Sequence, residues 1–278
     1  MKGKRKLVGR FWTYVFAYLL AIIMLAPLMW MIVSAFKAPG STVTLLSKLF
    51  TPPFTLESFQ KVLMPGETAM MGRWTFNSLF VAIVQTVITV IVSSLAAYAV
   101  SRIPFKGKKF ITALFLIGLM IPFESIVVPL FDMIVELNWT NTFNALIWPG
   151  MNLSLAYFIL KQFIDQIPND LFEAAKLDGA CTFKMWWTVV LPLSRSSMAA
   201  VGIFTFVQSW NNLLWPMLVA QETRMMTLPV GIPTFQSTFS TDLAVPMASN
   251  VLASIPAIIV FLIFQRHIIK GISMTGIK

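Results

Sequence analysis

Glu124 is the one carboxylate well inside an apolar run of this 278-residue sequence, set between Pro122 and Pro129. An acid at the centre of a membrane helix costs about 2.5–3.5 kcal/mol on insertion scales, which turns it toward a bundle interior or an interface. It reads as a residue near the outer interface bonded to a neighbouring helix, or alternatively as a gate or pathway group. Farther along, Gln208, Ser209, Asn211 and Asn212 stand beside Trp210 and Trp215. Amides offer donors and acceptors to hydroxyl groups, and indole faces stack on sugar rings. The same side chains also serve interhelical hydrogen bonding and an interfacial aromatic belt. A third group lies in a polar stretch, 163–195, which holds Asp170, Glu173, Lys176, Asp178 and Gly179. With one cysteine (Cys181) and one histidine (His267), the chain cannot build a Cys/His zinc site, a disulfide framework or a Cys–His or Ser–His couple.

The elements that position these residues follow from composition. Hydrophobic residues make up 57% and charged residues 12%, against about 25% charged in soluble proteins. A soluble globule of this size could not hide that much apolar surface. A bilayer crossing needs about 20 mostly apolar residues. Six runs qualify, at about 11–36, 74–101, 110–131, 142–160, 196–221 and 243–265. Backbone groups in lipid must be satisfied internally, so the runs are helices, and no period-two alternation suggests a barrel. The expectation is an all-α membrane protein of six transmembrane helices, with a kink or break in the third near Pro122. The first run is too long for a signal-peptide core and reads as an uncleaved span. Gln85, Ser93, Ser94 and Asn152 read as interhelical hydrogen-bonding groups.

Six crossings put both termini on one side. The segments 1–10, 102–109, 161–195 and 266–278 hold 16 Lys and Arg, and the opposite loops 37–73, 132–141 and 222–242 hold 5. The positive-inside rule makes the first set cytoplasmic, including the tails 1–10 and 266–278. His267 beside Arg266 reads as an anchor at that interface. Within the outer segment 37–73, residues 56–63 pattern as a short amphipathic helix.

The loop 163–195 patterns as a helical hairpin. Asp170 with Glu173 resembles a capping box behind Pro168. The first helix ends at Gly179, the residue type that accepts a left-handed C′ position. Thr182 can cap a second helix that runs to about Val190 and stops at Pro192. Leu171, Ala174, Ala175 and Asp178 share one stripe of the first helix. Singly, each has a plain reading: Glu173 a cap, Gly179 a turn, the alanines helix formers, Cys181 a small packing residue.

As a unit, Glu173-Ala174-Ala175, three residues, Gly179, nine residues and Val189-x-Leu191-Pro192 resembles the EAA loop of ABC importer membrane subunits. Asp178-Gly179-Ala180 is similar to its sugar-importer form. Trp210-Asn211, Trp215-Pro216, Thr227-Leu228-Pro229, Gln265-Arg266 with Gly271, and 53–59 upstream resemble the second permease of carbohydrate uptake systems, the MalG type. Val189 replaces the usual Ile, Ser196 stands where a proline often follows Leu-Pro-Leu, and Trp186 and Trp187 occupy positions where Phe is typical.

The resemblance implies a type I importer (MetI-like) fold in which this loop is the coupling helix. It docks on a separate ATPase through Glu173, Ala174, Ala175, Asp178, Gly179, Val189, Leu191 and Pro192. The implied partners are a MalF-like second permease, two copies of a MalK-like ATPase that bind the ATP and Mg2+, an extracytoplasmic solute-binding protein and a sugar. No cofactor is expected on this chain, which has no Gly-x-x-x-x-Gly-Lys-Ser/Thr; Gly107-Lys108-Lys109 lacks the first glycine and the hydroxyl residue. Glu124, Gln208, Trp210, Asn211, Asn212 and Trp215 are the candidate pathway residues. An ion-coupled carrier would instead show paired inverted halves, and an intramembrane enzyme would need convergent nucleophiles and acids at depth. The sequence displays neither.

Overall fold

A computed structural model describes residues 2–39, 50–64, 70–238 and 243–273, with the side chains of 2–9 and 264–273 excepted. The expected turns at Gly40, Pro65 and Gly66, the His267 and Arg266 side chains and the last residues of the tail lie outside the described residues. Among the described residues the chain is all-α, with a single isolated antiparallel bridge between Lys37 and Phe54. It divides into two compact units, one of residues 1–71 with 231–255 and one of 72–230 with 256–278.

In the first unit, α1 (Lys2–Ala35) carries large apolar side chains that stay exposed around its circumference, among them Phe16, Ile22 and Met24. Its end is fastened to the following segment, where Ser58 Oγ donates to the Lys37 carbonyl at 3.1 Å and Phe36 packs on Phe59. The short helix expected over 56–63 is present as α2 (Glu57–Leu63).

The second unit is organised around α3 (Met71–Arg102). Its buried stripe runs Trp74, Asn77, Ser78, Val81, Gln85, Thr89, Ser93, Ala97 and Tyr98, the three-to-four spacing of one helix face. The opposite face exposes Phe76, Phe80, Ile83, Val87 and Ile91. The polar stripe thus points into the bundle, where it satisfies breaks in the neighbouring helices.

Those breaks follow. The third run divides into α4 (Lys108–Met120) and α5 (Phe123–Glu136), bent by 98°. The break falls at Pro122, as expected, while Pro129 sits inside α5 without breaking it. The fourth run, expected as one helix over 142–160, is instead α6 (Phe143–Ile147), an unwound stretch, and α7 (Leu153–Asp165). The fifth, expected over 196–221, is α10 (Arg195–Trp210) and α11 (Leu214–Val219).

Between α7 and α10 lie α8 (Asn169–Leu177) and α9 (Thr182–Leu193). Then come α12 (Leu228–Thr238) and α13 (Ala244–Ser273). Among the described residues, three helical stretches are long and apolar enough to cross a bilayer, Arg10–Ala35, Met71–Arg102 and Ala244–Ile263, or up to five with each bent pair taken as one span.

Candidate functional site

The hairpin of α8 and α9 is built outward from Gly179. Its φ of +72° is the left-handed conformation that L side chains avoid. Ala180 N–H donates to the Ala175 carbonyl at 2.9 Å and Gly179 N–H to the Lys176 carbonyl at 3.0 Å. This is the paired Schellman closure of a helix C-terminus. The expected capping box is absent: α8 starts at Asn169, its cap position is Pro168, and no side chain caps it. Asp170 therefore lies in the first turn, where its charge favours the positive end of the helix dipole without a hydrogen bond.

The second helix also departs from expectation. Cys181 rather than Thr182 holds the N-cap position, and α9 passes through Pro192 to Leu193. Trp186–Val190 forms a widened turn, with Leu191 N–H donating to the carbonyl of Trp186, five residues back. A normal α-turn would jam the proline ring against the carbonyl of residue 188; widening the turn accommodates it.

Arg102, at the C-terminus of α3, fixes the hairpin to the bundle. Its guanidinium donates to the carbonyls of Ile164 and Ile167, each at 2.5 Å, and of Asp165 at 3.2 Å. It also donates to Asn169 Oδ1 and lies 4.7 Å over the Phe172 ring. Tyr98 stacks on the other side of this joint, its ring 6.2 Å from that of Phe172, and donates its hydroxyl to the Thr182 carbonyl at 3.1 Å. The Ile164 carbonyl also accepts from Ile167 N–H at 3.2 Å, so the guanidinium adds a second donor at that helix end. Beneath the hydroxyl, Phe172, Met185, Trp186 and Val190 enter one core with Tyr157, Leu160 and Ile164 of α7. Near the foot of the hairpin, Lys161 pairs with Asp165 at 2.6 Å. Burial alone would raise the Asp165 carboxyl, but the Lys161 hydrogen bond and the charges of Lys161 and Arg102 hold it below the usual carboxylate range. In the sequence Arg102 is one of the positive charges that set the orientation; the signal of its further role is its place at the end of a long apolar helix.

The anchored hairpin turns a mixed face outward. Glu173, Ala174, Asp178, Gly179 and Pro192 are exposed, and Leu177 is 91% exposed. Ala175, Val189 and Leu191 pack against the core instead. A cleft of about 180 Å³ separates the hairpin from the end of α3, with Glu173 and Lys176 on its rim.

A second site forms where the three helix breaks meet. A cleft of about 480 Å³ is lined by Glu124, Pro149, Asn152, Ser154, Gln208 and Asn212 among others. An adjoining cleft of about 310 Å³ adds Thr205, Ser209 and Asn211. Glu124 is exposed in the first turn of α5. Asn152 caps α7, its Oδ1 accepting from Leu155 N–H at 3.3 Å. Asn212 Oδ1 accepts from Trp215 N–H at 3.4 Å, and Asn211 Nδ2 donates to the Val207 carbonyl at 2.9 Å. Four of the six pathway candidates are brought together here.

The two tryptophans are not. Trp215 is fully buried and donates its indole N–H to the Ala145 carbonyl at 2.7 Å. Trp210 is 4% exposed and stacks on Phe206 at 6.0 Å. Neither lines the clefts, because each is drawn into the bundle to satisfy or pack its own elements. Sequence reading had no reason to include Ser154 or Thr205, which the breaks expose.

Comparison with known proteins gives a consistent picture. Residues 89–274 match the family described as binding-protein-dependent transport system inner membrane component. The trehalose/maltose transport system permease protein MalG of Thermococcus litoralis is 38% identical over 269 residues, covering 94% of each chain. The arabinooligosaccharides transport system permease protein AraQ of Halalkalibacterium halodurans is 33% identical over 263 residues, 95% of this chain and 94% of that one. The sn-glycerol-3-phosphate transport system permease protein UgpE of Yersinia enterocolitica is 34% identical over 209 residues, 74% of each. Among solved structures, a chain of a bacterial ABC transporter involved in the import of the acidic polysaccharide alginate superposes with a TM-score of 0.76 at 20% identity, over 92% of this chain and 96% of that one. At that identity the likeness speaks for the fold.

Proposed function

The chain belongs to the family of binding-protein-dependent transport system inner membrane components, and on that premise we propose that it forms half of the translocation pathway of an ATP-driven carbohydrate importer. The family consists of transporter permease subunits of the inner membrane, with ATP hydrolysed by a separate subunit. In this reading the second half of the pathway is a homologous permease of the MalF-like kind. Two MalK-like ATPase subunits hold ATP and Mg2+, and a solute-binding protein delivers the sugar from outside. The chain crosses the membrane six times, with both termini and the α8–α9 hairpin in the cytoplasm.

The observation that carries the proposal is the hairpin itself: a rigid joint at Arg102 and Tyr98 holds a compact element whose outward face is left open. Glu173, Ala174, Asp178, Gly179 and Pro192 lie on that face, and Ala175, Val189 and Leu191 set its shape against the core. A cation on the ATPase would meet Glu173, and the exposed Leu177 would be covered by the docked surface. The cleft at the helix breaks, with Glu124, Gln208, Asn211 and Asn212, supplies the cargo passage. Non-helical backbone at membrane depth is tolerated where it lines such a cavity.

The test is reconstitution with the permease, ATPase and binding protein encoded beside this chain, followed by ATPase assays against a sugar panel. Stimulation by a sugar only in the presence of the binding protein is the expected result. Failure of this chain to co-purify with an ATPase would return an ion-coupled mechanism to first place. Topology is read separately on a Cys181→Ser background: a cysteine replacing Lys61 should label from outside and one replacing Lys184 from inside, and the reverse pattern would overturn the orientation.

A further inference from the structure

Family membership leaves the charge of the cargo open, because the relatives' own names span neutral sugars, a phosphate ester and an acidic polysaccharide. The cleft at the helix breaks is more specific. Of the residues lining its two adjoining parts, Glu124 alone is ionisable, and neither part has a Lys, Arg or His. Glu124 forms no ion pair among the described residues, the pairs there being Lys61–Glu57 and Lys161–Asp165. The remaining polar lining is neutral: the amides of Asn152, Gln208, Asn211 and Asn212 and the hydroxyls of Ser154, Thr205 and Ser209. Gln208 is exposed and its side chain makes no hydrogen bond to another described residue. With their Oδ1 atoms already accepting backbone N–H groups, Asn152 and Asn212 have amide donors left for a ligand.

We infer that Glu124 makes this cleft a negative, hydroxyl-recognising passage that admits neutral or cationic carbohydrate and rejects cargo bearing carboxylate or phosphate groups. The inference rests on the cleft being the cargo passage proposed above and adds the charge class to it. The physical basis is repulsion between like charges at a surface whose lining from this chain carries no compensating cation. An anionic cargo would also meet no Arg, Lys or His in this lining to offset its charge.

The test measures the potential where the cargo would pass. In the assembled transporter, on a Cys181→Ser background, Asn212→Cys is reacted with a cationic and an anionic methanethiosulfonate of similar size at low ionic strength. The cationic reagent should react faster, and Glu124→Gln should lower the ratio of the two rates by about 5-fold. Asp132→Asn, which removes an acid of α5 outside the cleft lining, should leave the ratio alone. A ratio that Glu124→Gln leaves unchanged overturns the inference. Should Glu124→Gln fail to assemble, salt titration of the Asn212→Cys protein decides: a cation preference that collapses with salt supports the inference, and one absent at low salt overturns it. Modification of Asn212→Cys that leaves transport intact would show that the cleft is off the pathway, a failure of the underlying reading rather than of the potential. Uronic-acid oligosaccharides belong in the sugar panel, and stimulation by those alone would also overturn the inference.

Discussion

Two residues decide whether the hairpin keeps its shape, and they do so by different physics. Gly179 is needed for its backbone alone: a Cβ there meets nothing within 4 Å, yet φ is +72°. Gly179→Ala should therefore cost only about 1 kcal/mol, and Gly179→Asn less. Gly179→Pro fixes φ near −65° and deletes the N–H that bonds Lys176, so it should abolish coupling while membrane insertion persists. Transport assays across the three variants should rank Asn, Ala, Pro, and equal activity in all three would remove Gly179 from the mechanism. Arg102 acts through its fan of donors. Arg102→Ala removes a charged donor from three carbonyls and from Asn169 and should cost about 3 kcal/mol of thermal stability. Arg102→Lys keeps the charge but loses the planar fork and should recover less than half of that. The informative readout is sugar-stimulated ATPase activity relative to the basal rate, which a loosened joint lowers even where the complex still assembles.

At the scale of elements, the prolines explain the breaks one by one. A continuous fourth helix would set Pro149 against the Ala145 carbonyl; the break frees that carbonyl, and the Trp215 indole takes it. The next two carbonyls, of Leu146 and Ile147, accept from Gln85 Nε2 at 2.9 and 3.0 Å. A continuous fifth helix would set Pro216 against the carbonyl of Asn212, and the chain unwinds over 211–213 instead. Gln85→Leu leaves two carbonyls buried without a partner and should lower stability by about 1–3 kcal/mol, read as the melting temperature of the purified complex. A loss no larger than that of an exposed α3 substitution such as Phe80→Leu would contradict this accounting. The break at Pro122 was legible because Glu124 drew attention to its prolines. The one at Pro149 was not, since an uncharged run reads as one span whatever its prolines do. The left-handed Asn138 and Asn141 were equally hidden: Asn141 Oδ1 accepts from Gln221 and Glu222 N–H groups at 2.8 and 2.9 Å, a tertiary pairing with no local signature. Hairpin, glycine turn and apolar helices were legible because each rests on local chemistry. The tryptophans were misplaced because type alone does not say which way an indole points.

Across the whole molecule, the two sites turn out to be the ends of one helix. The hairpin ends at Leu193, Ser194 turns the chain, and α10 runs from Arg195 to Trp210, with Gln208 already in the cleft and Asn212 just beyond. Sixteen residues at 1.5 Å per residue make a strut of about 24 Å. The hairpin meets it at 81°, so a push on the hairpin acts as a lever on α10 rather than along it. The unwound stretches at 148–152 and 211–213 supply compliance at the far end, where motion has to be absorbed. In the proposed function, a stiff strut between the hairpin and a compliant cleft is what coupling requires, and stiffness can be removed without touching either site. Ala199→Gly with Ala200→Gly costs about 0.5–1 kcal/mol of helix stability per residue and leaves the docking face and the cleft lining unchanged. The expected outcome in proteoliposomes is continued ATP hydrolysis with fewer sugars moved per ATP. A proportional fall in both rates would mean that the strut only holds the fold together, and the signal must then reach the cleft through α3, whose C-terminal Arg102 grips the same hairpin.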